Sequence, residues 1–274
     1  MSDLRFKVME NDIPSLFTCG ERSIDALTRT AYNKTLYKQA LAYNILVGDR
    51  LVGNCMLKVA HICDEEYYVS DHDYAALELS YLAIDSRLQR KGIGTKALSI
   101  LTSRAREISD TLPIRFLVLD AFEDKVEWYK KAGFGEYPKR ADSRRPGTVA
   151  MKMDFIDRSL ADAYAAMVNY GCTIPLEHDQ AQSFYECAMH PDIDELTRRD
   201  QFLQRVKREL PYRTEGTDII ATIPDIDIDA LLNTGKEKYS ATPSRYMMVS
   251  VLEELRAVNR PSSYLIERTM NIAA

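Results

Sequence analysis

The first 155 residues predict an α/β fold, and three observations carry that expectation. Short apolar runs of strand type alternate with segments whose apolar residues recur at helical spacing. Gly48-Asp49-Arg50 separates two of these runs as a hairpin loop does. Over residues 75–122 an apolar strand, an amphipathic helix and a second apolar run follow one another, and such a β-α-β unit requires at least one parallel pairing.

Leu4–Met9 reads as the first strand. In Ser23–Gln39, Ile24, Leu27, Ala31 and Tyr32 share one helical face, with Ser23 as the expected N-cap. Tyr43–Val47 and Leu51–Val59 are the arms of the hairpin. Ala75–Ile84 and Ile114–Phe122 are apolar and short enough to be buried strands. Between them, Gly94–Ser109 sets Leu98, Leu101, Ala105 and Ile108 on one helix face. Val126–Ala132 supplies another helix and Thr148–Phe155 a last strand.

The chain changes character near residue 155. Residues 1–155 hold 23 Lys/Arg and 22 Asp/Glu, a net charge of +1, whereas residues 156–274 hold 13 and 19, a net of −6. Eight of the 11 glycines precede the change. Two domains are therefore expected, residues 1–155 and a mainly helical 156–274. In the second, Asp194–Leu210 places Leu196, Leu203, Val206 and Leu210 on one side, and Thr242-Pro243 opens a helix that runs through Leu255 and ends before Pro261. Asp225-x-Asp227-x-Asp229 has the spacing that begins a calcium loop. Ala230 and Lys236, however, stand where that loop needs Gly and Glu, so the stretch reads as a half-exposed strand or extended loop.

Composition narrows the function. With 46% apolar and 28% charged residues the chain can bury a core, which excludes global disorder. A net charge of −5 argues against a chain-wide nucleic-acid surface. Neither a signal peptide nor a membrane span is expected, because no apolar run has the length. Cys19, Cys55, Cys63, Cys172 and Cys187 form no C-x-x-C pair and read as reduced thiols of a cytoplasmic protein. The four histidines have no metal-ligand spacing, so no metal is expected.

Residues 77–95 carry the chemistry. The strand Leu77-Glu78-Leu79-Ser80-Tyr81-Leu82-Ala83-Ile84 runs into Gln89-Arg90-Lys91-Gly92-Ile93-Gly94-Thr95 and then directly into a helix. Two glycines allow close backbone approach, and a helix start offers unpaired N–H groups and the positive end of the dipole. That combination suits a phosphate or diphosphate, assisted by Arg90, Lys91 and Lys96. It also suits a plain tight turn before a helix. The third glycine of the dinucleotide fingerprint is missing, and no Gly-Lys-Ser/Thr P-loop is present, so a nucleotide here must be one read by a shorter loop.

On these residues the chain resembles the GNAT superfamily of acetyl-CoA-dependent N-acetyltransferases over roughly residues 4–155. The motifs are Gln89-x-x-Gly92-x-Gly94 after Leu82-Ala83-Ile84-Asp85, and Trp128-Tyr129-Lys130-Lys131-Ala132-Gly133-Phe134 about 35 residues later. The resemblance implies a mixed, mostly antiparallel central sheet flanked by helices, with acetyl-CoA as cofactor. It implies that Gln89, Arg90, Lys91, Gly92, Ile93, Gly94 and Thr95 hold the CoA diphosphate through backbone amides. Leu82, Ala83 and Ile84 would line the pantetheine arm and pair with it as a further strand. Tyr129 falls where many members keep the general acid that protonates the departing thiolate. Where many members have an Asn after the fifth strand, this chain has Ala121-Phe122-Glu123-Asp124.

Transfer also needs a neutral amine, and lysine-like amines are protonated at pH 7. Glu78 lies six residues before Ile84 on a strand face shared with Ser80, Leu82 and Ile84, and in the resemblance this is the offset of the catalytic glutamate in histone-type members. The alternative roles are structural: Glu78 as an ion-paired or strand-end carboxylate, Tyr129 as a core aromatic.

A second resemblance is to the GNAT toxins of bacterial toxin–antitoxin pairs, through Phe17-Thr18-Cys19-Gly20 and Ile24-Asp25-x-Leu27. It implies acetylation of the amino group of aminoacyl-tRNA. Basic residues do cluster at Lys139-Arg140, at Arg144-Arg145 and on Arg198, Arg199, Arg205, Lys207 and Arg208, but a charge run on a helix is usually a solvated face. The favoured reading is transfer to a small-molecule or peptide amine. The competing class is a non-catalytic CoA-binding module whose acceptor half is covered by the C-terminal part, which could equally mediate a homodimer or hold a protein partner.

Overall fold

The computed structural model describes residues 2–14, 16–63, 73–137, 146–159 and 193–233. In chain order the elements are β1 (Ser2–Val8), α1 (Arg22–Leu36), β2 (Leu41–Val47), β3 (Arg50–Cys63), β4 (Asp73–Ile84), α2 (Ile93–Ser109), β5 (Phe116–Phe122), α3 (Val126–Lys131), β6 (Gly135–Glu136), β7 (Thr148–Asp154), α4 (Ile193–Glu209), β8 (Tyr212–Glu215), β9 (Asp218–Ile223) and α5 (Ile228–Asn233). They form two compact units, Met1–Lys58 with Leu79–Leu98 and Leu210–Ala274, and Val59–Glu78 with Ser99–Glu209.

The first unit is built on an antiparallel ladder running β8, β9, β1, β2, β3. Leu4 lies opposite Val47 on one side and Ala221 on the other, and Phe6 opposite Ile45 and Ile219. That register buries Leu4 and Phe6 completely, each contributing about 1.5–3 kcal/mol relative to exposure. Helix α1 lays Leu27 and Ala31 into a core with Met9, Ile13, Phe17, Ala42, Met56, Tyr81 and Ala83. Its cap differs from the expectation. The helix begins one residue early, so Ser23 sits inside the first turn and Glu21 is the cap, accepting the Ser23 amide at 3.3 Å and its hydroxyl at 3.0 Å.

Strands β8 and β9 are a further difference. Residues 210–223 were read as part of a mainly helical region, yet β9 pairs with β1 along Ser2–Phe6. The signal was weak because β8 is a short, half-to-fully exposed edge strand, Tyr-Arg-Thr-Glu, with no apolar alternation. The Asp225–Asp229 stretch is irregular up to Asp227 and then helical in α5. The helix expected from Thr242 lies outside the described residues.

The second unit contains the parallel pair, Ala76–Glu78 of β4 with Phe116–Val118 of β5. Beyond it β5 pairs antiparallel with β7 over its whole length, and β7 with β6. Ile62, Ala76, Phe116 and Val118 form the core on one face. The mixed, mostly antiparallel sheet with flanking helices is thus the one expected. Helix α4 buries Leu196, Phe202 and Val206, and on the same stripe Arg199. The Arg199 guanidinium donates to the carbonyls of Asp154 at 2.6 Å and Ile156 at 3.1 Å, completing the chain just past β7, and pairs with Asp200. Arg199 therefore leaves the basic cluster expected on this helix: it is a buried strut, not a solvated charge.

Candidate active site

The loop between β4 and α2 is shaped by two residues in the left-handed region, Arg90 (φ 61°) and Gly92 (φ 79°). A left-handed non-glycine is uncommon, and persists where its surroundings fix it. Ahead of it, Asp85 is almost fully buried and accepts the Arg87 amide at 3.0 Å and its guanidinium at 2.9 and 2.8 Å. The remaining guanidinium nitrogen of Arg87 donates to Leu232 of α5 at 3.3 Å. Gln89 donates through one nitrogen to the carbonyls of Ile84 at 3.1 Å and Cys19 at 2.7 Å.

Past the loop, the first α2-type bond is Lys96 N–H to the Gly92 carbonyl at 3.0 Å, so the amides of the first turn point out of the helix end. Ile93 is buried and anchors that turn, while Arg90, Lys91 and Thr95 are exposed around it. A Cβ placed at Gly92 would meet nothing within 4 Å, so the space over the loop is open. Outward amides, open space and flanking cations fit a diphosphate. On the approach strand, Leu77, Leu79, Tyr81 and Ala83 are buried, whereas Glu78, Ser80 and Leu82 are half-exposed as expected; Ile84, expected on the same face, is buried where the strand ends. Among the described residues the parallel ladder of β4 ends at Glu78, although the strand runs on to Ile84.

Tyr129 owes its position to the way α3 stops. The Phe134 amide bonds back to the Tyr129 carbonyl at 3.2 Å and the Gly133 amide to the Lys130 carbonyl at 3.0 Å, with Gly133 at φ 85°. That pair of bonds is a Schellman motif, which also calls for an apolar contact between the residues at its two ends. Here that contact is Phe134, fully buried, set edge-on to the Tyr129 ring at 5.6 Å. The Tyr-x-x-x-Gly-Phe pattern is therefore a device for fixing one phenol. Burial raises the Tyr129 pKa well above that of an ordinary phenol. Its hydroxyl makes no hydrogen bond among the described residues.

Glu78 lies in the second unit with two groups that the sequence reading missed. Burial, then the nearby carboxylates of Asp120 and Glu78, push the Tyr137 phenol up to about 12. Glu78 is opposite Val118, Asp120 is two residues further along β5, and the Tyr137 amide bonds the carbonyl of Ala150, which pairs with Asp120. The one sequence signal was Asp120 itself, a carboxylate interrupting the buried run Phe116–Leu119. A cavity of about 560 Å³, lined by Lys130, Lys131, Phe134, Gly135, Glu136, Glu195 and Arg198, touches neither Tyr129 nor Glu78. Among the described residues no cluster of His, Cys, Asp and Glu could hold a metal, and no helix is long and apolar enough to cross a membrane.

Residues 12–134 match the profile of the acetyltransferase (GNAT) family. This segment is a GNAT acetyltransferase domain. An enzyme of this family is an acyltransferase that takes its acetyl group from acetyl-CoA, and the loop after β4 has the shape for that cofactor's diphosphate. No curated protein matches the chain. Among solved structures, similarity is found to AtaTR bound with acetyl-CoA, at 19% identity over 56% of this chain and 94% of that one, TM-score 0.48. A point mutant of KacT matches at 16% identity over 57% and 96%, TM-score 0.48. AtaT complexed with acetyl-methionyl-tRNAfMet matches at 19% identity over 54% and 93%, TM-score 0.45.

Proposed function

We propose that the chain is an N-acetyltransferase that moves the acetyl group of acetyl-CoA to a primary amine by direct transfer in a ternary complex. The observation that carries this reading is the Schellman-fixed Tyr129, a protonated phenol held at the helix end of a GNAT domain. In this reading the loop amides from Gly92 onward hold the diphosphate, with Arg90 and Lys91 beside them. Main-chain groups of Leu82, Ala83 and Ile84 align the pantetheine arm in the manner of an added strand.

Glu78 removes a proton from the ammonium form of the acceptor, leaving a lone pair on nitrogen. The carbon–nitrogen bond forms and the carbon–sulfur bond breaks. As the adduct collapses, Tyr129 gives its proton to the departing sulfur, the acetylated nitrogen gives up its second proton to restore the phenol, and Glu78 returns its proton to water, so that a free thiol and a neutral N-acetyl amine leave. A general acid of this kind contributes about 10²–10⁴ in rate.

The test is free-thiol release from acetyl-CoA with a panel of amines that includes polyamines, lysyl peptides and aminoacyl-tRNA. Amine-dependent thiol release supports the enzyme. Tight acetyl-CoA binding without release on any amine supports the non-catalytic module instead.

A second reading, transfer to aminoacyl-tRNA, is favoured by the Phe17-Thr18-Cys19-Gly20 segment, whose Cys19 carbonyl is bonded to Gln89 of the loop. Cys19 itself is no nucleophile, since burial raises its thiol to about 12. Growth arrest on expression that Tyr129→Phe relieves would support this reading, and arrest that persists in the variant would count against it. The pairs Lys139-Arg140 and Arg144-Arg145 lie outside the described residues.

A further inference from the structure

Residues 17–20 and the loop at residues 89–92 are about 70 positions apart in sequence, yet they are hydrogen-bonded within one unit. Asp25, on the buried face of α1 and 6% exposed, spends both carboxylate oxygens on this segment. One accepts the Thr18 hydroxyl at 2.5 Å and the other the Cys19 amide at 2.8 Å. The Thr18 hydroxyl oxygen in turn accepts the Gly20 amide at 3.0 Å. Arg29, one turn further along α1, donates to the carbonyls of Pro14 at 2.9 Å and Phe17 at 2.8 Å, and the Phe17 ring is buried in the core. The segment is thus clamped to α1 from both ends.

Its outer edge faces the cofactor loop. The Thr18 carbonyl accepts the Ser86 amide at 2.8 Å, and the Cys19 carbonyl accepts the Gln89 side chain at 2.7 Å. Gln89 directly precedes Arg90, whose left-handed backbone is strained and must be held from outside. No other described side chain bonds Gln89 from across the loop. We infer that Phe17–Gly20 is a positioning strap for the diphosphate loop: Asp25 and Thr18 fix the Cys19 carbonyl, which fixes Gln89, which holds the turn at Arg90 and Gly92 in its binding shape. Thr18 and Asp25 are positioning residues that act through Gln89. The inference rests on the acetyl-CoA reading of the loop.

Calorimetric titration of acetyl-CoA into the full chain tests it, with Thr18→Val, Thr18→Ser, Gln89→Met and the Val/Met double variant. Loss of one such hydrogen bond corresponds to roughly a tenfold change in affinity. Thr18→Val is therefore expected to weaken acetyl-CoA binding about tenfold, with Thr18→Ser near wild type. Where an amine supports turnover, Thr18→Val should raise KM for acetyl-CoA and leave kcat within about twofold. The double variant should be no weaker than the worse single one, since both break the same path.

Unchanged affinity in Thr18→Val, or losses that multiply in the double variant, would overturn the strap. Gln89 is exposed, so Gln89→Met keeps the core intact. If Thr18→Val fails to fold, unaltered affinity in Gln89→Met overturns the inference by itself. Absence of acetyl-CoA binding by the wild-type chain would overturn the cofactor reading and the strap together.

Discussion

The cofactor loop and the end of α3 each turn on a glycine with positive φ, Gly92 at 79° and Gly133 at 85°, but they are held in opposite ways. The α3 end is self-contained: two backbone bonds and one ring contact within Tyr129–Phe134 fix the phenol. The loop is held from a distance, by Cys19 on one side and by Arg87 reaching Leu232 on the other. A local device survives changes elsewhere in the fold, whereas a remotely held one transmits them. On the proposed reading, affinity for the cofactor is therefore the property open to tuning, and the proposed acid is the fixed part.

The largest effect expected from breaking the local device is chemical. Tyr129→Phe keeps the ring contact with Phe134 and removes only the proton, so kcat should fall by about 10²–10⁴ with acetyl-CoA affinity unchanged. A fall in affinity of equal size would mean that the hydroxyl binds rather than donates. Glu78→Gln sharpens the account from the other side. It should lower kcat/KM by about 10²-fold or more near neutral pH, with partial recovery as pH rises and more amine is already neutral.

Conformational breaks come next. Gly133→Ala forces a Cβ into the left-handed region and to within 2.8 Å of the Arg199 Cα, costing about 2 kcal/mol or more of stability in denaturant titration. The matching substitution Arg199→Met leaves the carbonyls of Asp154 and Ile156 without their donor and should cost about 1–3 kcal/mol.

How much of this the sequence disclosed follows the same division. The α3 motif lies within seven residues, so its pattern, and with it the place of Tyr129 at the helix end, was legible. The glycines of the loop were legible for the same reason. The strap was seen only as a family likeness, because nothing in the spacing between Cys19 and Gln89 announces a hydrogen bond. Asp120 and Tyr137 were missed because strand pairing, not sequence distance, brings them to Glu78. Arg199 was read as solvated because its helix is otherwise charged. Its place on the stripe with Leu196, Phe202 and Val206 was the overlooked clue. Likewise, β8 and β9 exist by pairing with β1, which no local pattern shows.

The smallest effect expected is on stability in alkali. The folded pKa values of Tyr129 and Tyr137 lie above the unfolded value near 10, so the neutral phenols favour the folded state. Stability from this source is fully present below pH 10 and declines as pH rises past 10 toward 12. A melting temperature that stays flat across that window would show that neither phenol is buried in solution.

The most direct check on the whole account is calorimetry of acetyl-CoA against the wild-type chain and Gly92→Asp. The substitution places a carboxylate and a strained backbone where the outward amides meet the diphosphate, so binding should be present in the wild type and weakened about a hundredfold or more in the variant. Equal affinity in the two proteins, or none in the wild type, would contradict the cofactor site on which the catalytic reading stands.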